Sequence, residues 1–164
     1  MDSKGPSIDK AAKVRSGEEL PSGQLEQYLT EYFPANAGAE LHIRQFPSGF
    51  SNLTYLIEWG THSYILRRPP FGAKVKSAHD MGREFRMLSH LRPVFPAVPK
   101  PLLYCEDAEV IGAPFYLMER VEGVILRAGM PKNEYPDTET MEGVARSFVE
   151  NLAQMHSLDL DKSG

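Results

Sequence analysis

FPSGFSNLTYLIEWGTHSYILRR, residues 46–68, is the stretch whose reading decides the fold. A small-residue turn at Ser48-Gly49 opens into a run in which Leu53, Tyr55, Ile57 and Trp59 alternate with Thr54, Leu56 and Glu58. That period of two is a strand with one face turned to a core. Gly60-Thr61 reads as a short connection, and Ser63 to Arg68 returns as a second strand ending on two consecutive arginines. Such a hairpin suits a phosphate chain, with a cation on the neighbouring strand to hold it. Converging backbone N–H groups need side chains out of the way, and small residues permit the approach. Ser48-Gly49-Phe50-Ser51-Asn52 offers one glycine, two hydroxyls and an amide. One glycine in a turn is also what an ordinary hairpin carries, and the Walker-type loop G-x-x-x-x-G-K-[ST] is absent.

Upstream of the hairpin, residues 1–19 are polar and charged and read as a flexible tail. Leu25, Tyr28, Leu29, Tyr32 and Phe33 fall on one face of a helix beginning at Ser22 and ended by Pro34. Asn36 to Ala39 is loop, and Leu41 to Phe46 alternates as a first strand. Downstream, Pro69-Pro70 ends the ladder. Ser77 and Asp80 resemble a capping box opening a helix through Leu91, with Met81, Phe85, Leu88 and Leu91 on its apolar face. LLYC (102–105) and FYLMERV (115–121) read as fourth and fifth strands, joined by a turn. After loop residues 127–137 comes a long helix striped with Met141, Val144, Ala145, Phe148, Val149, Leu152 and Met155. Five strands with one helix inserted between the third and fourth predict an α+β fold, a mainly antiparallel sheet backed by a helix. The β–α–β alternation of a doubly wound sheet is missing.

Composition excludes several function classes. The chain has 164 residues, 41% hydrophobic and 24% charged, so one globular core is expected. A net charge of −4 argues against nucleic acid as a partner. No apolar run is long enough to cross a bilayer, and the N-terminus lacks the apolar segment of a secretory signal. The single cysteine, Cys105, lies in an apolar strand and reads as a buried thiol in a reducing compartment, which points to the cytoplasm. The five histidines are scattered without metal-ligand spacing.

Two further segments carry chemistry. Arg67 ends the strand YILR, and Glu84 stands 17 positions later on the following helix. A cation aimed at phosphates needs a carboxylate to hold it, although Arg and Glu are more often solvated surface charges. FYLMERVEG (115–123) is a buried strand running out into Gly123. Its edge amides would suit a flat heterocycle, while its pattern alone is that of a plain core strand.

Taken together, SGFSNLTYLIEWG, YILRRPPFG, AHDMGREFRML, VPKPLLYCED, VIGAPFYLMERVEG and LAQMHSLD resemble the aminoglycoside phosphotransferase (choline-kinase-like) family of the protein-kinase-like fold. The resemblance spans about Leu25 to Asp159 and extends to bacterial members and to the phosphotransferase-like domain fused to acyl-CoA dehydrogenase. It implies a kinase-like N-lobe over residues 20–123, with an N-terminal helix and one αC-type helix. Residues 124–164 would then be a linker and the first helix of a C-lobe. It also implies that Ser48, Gly49, Phe50, Ser51 and Asn52 cover the phosphates of ATP. Arg67 stands where kinases carry the strand-3 lysine, and Glu84 where the helix glutamate pairs with it. Met118 takes the gatekeeper-like position, with the Glu119 carbonyl and the Val121 N–H as the adenine-binding hinge. Leu53, Ile65 and Phe50 would line the base or cover the phosphates.

The departures are equally definite. Arg67 replaces lysine; it can clamp phosphate bidentately but is bulkier and never neutral. The loop has one glycine rather than three. His156 and Asp159 stand where the family has a structural LHxLD, so no catalytic residue and no Mg²⁺ ligand is expected within the chain. The implied activity is that of the nucleotide-binding lobe of an ATP-dependent small-molecule phosphotransferase, with a hydroxyl-bearing acceptor and the chain alone inactive. The competing class is a non-catalytic nucleotide-binding or interaction module. Self-association through the apolar stripe of helix 138–158 is a further expectation.

Overall fold

The computed structural model describes residues 10–47, 51–72, 80–126, 131 and 135–159. Its elements are α1 (Ser22–Tyr32), β1 (Leu41–Gln45), β2 (Leu53–Trp59), β3 (His62–Arg68), α2 (Met81–Leu91), β4 (Pro101–Cys105), α3 (Ala108–Ile111), β5 (Phe115–Glu119) and α4 (Thr138–His156). The strands form one sheet in the order β1-β2-β3-β5-β4, and each neighbouring pair is antiparallel. This is the α+β architecture anticipated from the element order.

Period two sorts the sheet into two faces. On one, Tyr55, Leu66, Leu117 and Leu103 are register partners across four strands. With Leu53, Ile57, Trp59, Tyr64, Phe115 and Cys105 they form a buried core that takes in Leu25 and Leu29 of α1. Removing each of these large side chains from water contributes about 1.5–3 kcal/mol. The polar atoms of this core are satisfied: Trp59 Nε1 donates to the Ala39 carbonyl at 3.1 Å, and Asn36 Nδ2 to Tyr64 Oη at 3.0 Å. Arg68 also lies on this face, 2% exposed. Its Nη1 donates to the Ile111 carbonyl at 2.9 Å and its Nε to the Pro69 carbonyl at 3.0 Å. The Phe71 ring packs 3.7 Å from the guanidinium carbon.

On the opposite face α2 packs over β4 and β5, and Leu56 is as buried there as its alternating neighbours Tyr55 and Ile57 are on the first. α2 begins at Met81, with Asp80 as its N-cap accepting from the Arg83 N–H at 2.8 Å. The capping box expected at Ser77 is therefore corrected: Asp80 takes the cap, and Ser77 lies outside the described residues. A Cβ built on Gly82 would meet Tyr104 Oη at 3.0 Å, so glycine permits α2 to come this close to β4. Phe85 then stacks on Tyr104 with centroids 5.7 Å apart.

Other differences from the sequence reading are local. A single 3-10 turn occupies Pro34–Asn36. The turn before β5 contains the short helix α3, which closes on Gly112 at φ 81°. β5 ends at Glu119 rather than Val121. Residues 10–19, read as part of the tail, lie against the sheet. Ala12 exchanges both backbone hydrogen bonds with Gln45, at 2.8 and 2.9 Å. The Glu18 carboxylate accepts from Gln45 Nε2 and from Arg15 Nε at 2.7 Å. Tyr55 Oη donates to the Glu18 carbonyl at 2.8 Å. The polar composition of this segment hid the pairing, because backbone hydrogen bonds leave no trace in side-chain pattern.

α4 stands apart energetically. None of its residues is buried, and Val144, Phe148, Val149, Leu152 and Met155 are exposed along the anticipated stripe. Leu29→Ala should lower the unfolding free energy by about 2–5 kcal/mol, whereas Leu152→Ala should change it by less than about 0.5 kcal/mol. Urea unfolding of the two variants reads this difference; equal losses would place α4 in the core.

Candidate functional site

The α2-covered face carries the candidate site. Thr54, Arg67, Tyr116 and Tyr104 make one register row across β2, β3, β5 and β4. Leu56, Ile65, Met118 and Pro101 make the next. Alternation along β3 assigns Arg67 to this face and Arg68 to the core, which separates the paired arginines into a candidate ligand group and a structural one.

Glu84, on the first turn of α2, reaches the Arg67 row. Its Oε1 accepts from Asn52 Nδ2 at 2.6 Å. Its Oε2 accepts from Tyr116 Oη at 2.9 Å and lies 3.3 Å from Arg67 Nε. That last contact is an ion pair by distance but not a hydrogen bond, since Arg67 Nε is buried without a hydrogen-bond partner. The 30% exposure of the Arg67 side chain is accordingly carried by its other atoms. One carboxylate thus joins Asn52, just ahead of β2, two adjacent strands and the helix. Burial pushes the Tyr116 phenol well above its ordinary range, an effect that Glu84 reinforces and Arg67 opposes. Tyr116 is therefore a neutral donor to the carboxylate.

The remaining sequence-derived candidates are placed as follows. Ser48, Gly49 and Phe50 lie outside the described residues, Ser51 is exposed, and Asn52 is buried at the start of β2. Met118 is the register partner of Ile65 on the site face. The Glu119 N–H donates to the Lys100 carbonyl at 2.9 Å. Its carboxylate accepts from the Lys100 N–H at 2.8 Å and meets Arg92 Nη1 at 3.1 Å. Val121 follows the strand and is exposed. Leu53 belongs to the α1-side core rather than to the face of Ile65, because the two occupy positions of opposite parity in paired strands; its expected place beside a base is corrected. Tyr116 was missed. Its only signal was a polar-tipped residue one register row from Met118, visible once β3 and β5 are paired. Among the described residues no three His, Cys, Asp or Glu side chains converge as a metal site. No helix among them is long and apolar enough to cross a membrane.

Comparison with known proteins adds an independent observation. The model of the phosphotransferase enzyme family matches residues 42–164. Acyl-CoA dehydrogenase family member 11 of Homo sapiens is 39% identical over 152 residues, covering 91% of this chain and 19% of its own length. The Gallus gallus protein of that name is 36% identical over 156 residues, covering 93% and 20%. The probable acyl-CoA dehydrogenase IBR3 of Arabidopsis thaliana is 39% identical over 164 residues, covering 95% and 20%. This chain therefore spans about one fifth of the length of these relatives. A solved structure from Ralstonia eutropha, described as a candidate aminoglycoside phosphotransferase, superposes with a TM-score of 0.67 at 27% identity. It covers 89% of this chain and 41% of the solved one.

The tyrosines of the sheet give a pH prediction. Burial raises the Tyr55 phenol from 10 to about 12, with Arg68 partly opposing the rise. Between those values the unfolded chain has lost a proton that the folded chain keeps. The unfolded state then binds fewer protons, and stability falls as pH rises through the window. Urea unfolding across it should show a steeper decline for the wild type than for Tyr55→Phe. Parallel declines would show that Tyr55 titrates normally.

Proposed function

We infer, because this chain belongs to the phosphotransferase enzyme family, that it forms the nucleotide-binding lobe of an ATP-dependent small-molecule phosphotransferase. The observation that carries the reading is Arg67: a guanidinium on the α2-covered face, beside Glu84, with its buried Nε not hydrogen-bonded. Its Nε faces Glu84, and the exposed remainder of the side chain leaves guanidinium donors for an anion. In this reading Arg67 clamps the inner phosphates of ATP, and the backbone N–H groups of Ser48 to Asn52 cover them. Met118 walls the adenine, while the Glu119 carbonyl and the Val121 N–H meet its polar edge. ATP when bound supplies the phosphoryl group, which passes to a hydroxyl of the acceptor.

The residues that orient the acceptor and bind Mg²⁺ are assigned to parts of the phosphotransferase outside residues 10–159. A hydroxyl on an acyl chain is the acceptor class that suits relatives named as acyl-CoA dehydrogenases; an aminoglycoside is the class suggested by the solved neighbour. The buried lone Cys105 fits a reducing, cytoplasmic setting. A second reading, a non-catalytic interaction module, is favoured by one observation, the exposed apolar stripe of α4.

Calorimetry and thermal unfolding with ATP test the leading reading. At about 100 times Kd, ATP should add about 2.7 kcal/mol of stability. Arg67→Ala should weaken ATP binding by about tenfold or more, consistent with loss of a charge-assisted contact. A folded wild-type chain whose stability ignores ATP would sink the assignment.

A further inference from the structure

The Arg67–Glu84 pair differs from another arginine–glutamate pair in the same sheet. Arg44 closes on Glu58 through Nε at 3.0 Å and Nη2 at 2.8 and 2.7 Å. Arg67 meets Glu84 at 3.3 Å through a single nitrogen that makes no hydrogen bond. The two carboxylates are almost equally exposed, at 33% and 31%, although the Arg44 side chain is more open than that of Arg67, at 48% against 30%. The carboxylates differ in their other partners. Among the described residues every hydrogen bond to the Glu58 carboxylate comes from Arg44. Glu84 accepts from Asn52 on one oxygen and Tyr116 on the other. Glu119 is no parallel, because Arg92 Nη1, which meets its Oε1 at 3.1 Å, also donates to the Pro96 and Val98 carbonyls at 2.7 and 2.6 Å.

We propose that Tyr116 and Asn52 are positioning residues that restrain the Glu84 carboxylate from closing a two-point bridge onto Arg67, and so keep the guanidinium available to a polyphosphate. This rests on reading Arg67 as a phosphate ligand. The physical argument is one of competition. A guanidinium and a carboxylate favour parallel, bidentate pairing, which would occupy the arginine donors that a phosphate needs. Two neutral donors, fixed by β5 and by the start of β2, use the carboxylate's acceptor sites without adding charge. Burial holds the Tyr116 phenol protonated, so its donation persists across the working pH range. Glu84 then lends Arg67 an electrostatic anchor without sequestering it.

The test is a set of variants: Tyr116→Phe/Asn52→Ala, Glu84→Gln, and the three substitutions together. Each is titrated with ATP and with inorganic tripolyphosphate by calorimetry, after urea unfolding verifies that it folds. Releasing the carboxylate should weaken both ligands by about tenfold, the scale of one charge-assisted hydrogen bond. Replacing that carboxylate in the same background should restore binding to the level of Glu84→Gln alone. If the triple variant stays as weak as the double, Tyr116 and Asn52 merely steady Glu84 and the proposal is overturned. A second readout needs no ligand: the ¹⁵N–¹H signal of Arg67 Nε. It should move downfield and exchange more slowly in Tyr116→Phe/Asn52→Ala as the bridge closes, and an unchanged signal overturns the proposal. Should neither wild type nor Arg67→Ala bind ATP or tripolyphosphate, the nucleotide reading fails, while the Nε signal still decides whether the carboxylate is restrained.

Discussion

Two consecutive arginines at the end of a β-strand cannot serve the same purpose, because successive side chains leave a strand on opposite faces. In β3 this constraint sends Arg68 into the α1-side core and Arg67 to the face under α2. Arg68 is held by the Ile111 and Pro69 carbonyls and flanked by Phe71, so its charge is solvated by protein dipoles. Burial lowers its affinity for its proton, with Tyr55 and Glu18 acting against that shift. Arg67, one residue earlier, remains beside a carboxylate and open to a ligand. A one-residue slip of β3 against β2 would exchange these fates and leave the site face without its cation.

The site is consequently only as well defined as the packing of α2. The Asp80 cap, the small residue at Gly82 and the stack of Phe85 on Tyr104 set the height of that helix above β4 and β5. Glu84 sits one turn into it and reaches Arg67, Tyr116 and Asn52 together. Any tilt of α2 would therefore be felt at the loop that starts β2 as well as at the arginine. This coupling is mechanical, through one carboxylate with ligands on separate elements.

Membership of the phosphotransferase enzyme family gives these features a common purpose. The sheet, α1 and α2 make a self-contained core that presents the proposed nucleotide face. α4, with its apolar stripe exposed, contributes little to that core. The likeness to a solved phosphotransferase-type chain, of which this chain covers 41%, shows the same arrangement within a longer polypeptide.

Much was legible in residue order alone. Alternation in 53–59 and 63–68 marked the central hairpin, the helical spacing of Leu25, Tyr28 and Leu29 marked α1, and the pairing of Arg67 with Glu84 followed from the motif resemblance. These are local patterns, set by the period of each element. What only the tertiary structure decided depends on register and on packing between elements distant in sequence. Strand pairing moved Leu53 to the core and brought Tyr116 beside Arg67. The backbone bridge between Ala12 and Gln45 converted residues 10–19 from an expected tail into part of the sheet edge. The gap between Arg67 and Glu84 was set by Asn52 and Tyr116, each 32 positions from Glu84. Spacing along a chain can announce that a cation and a carboxylate will meet; how tightly they close is settled by what else the carboxylate must hold.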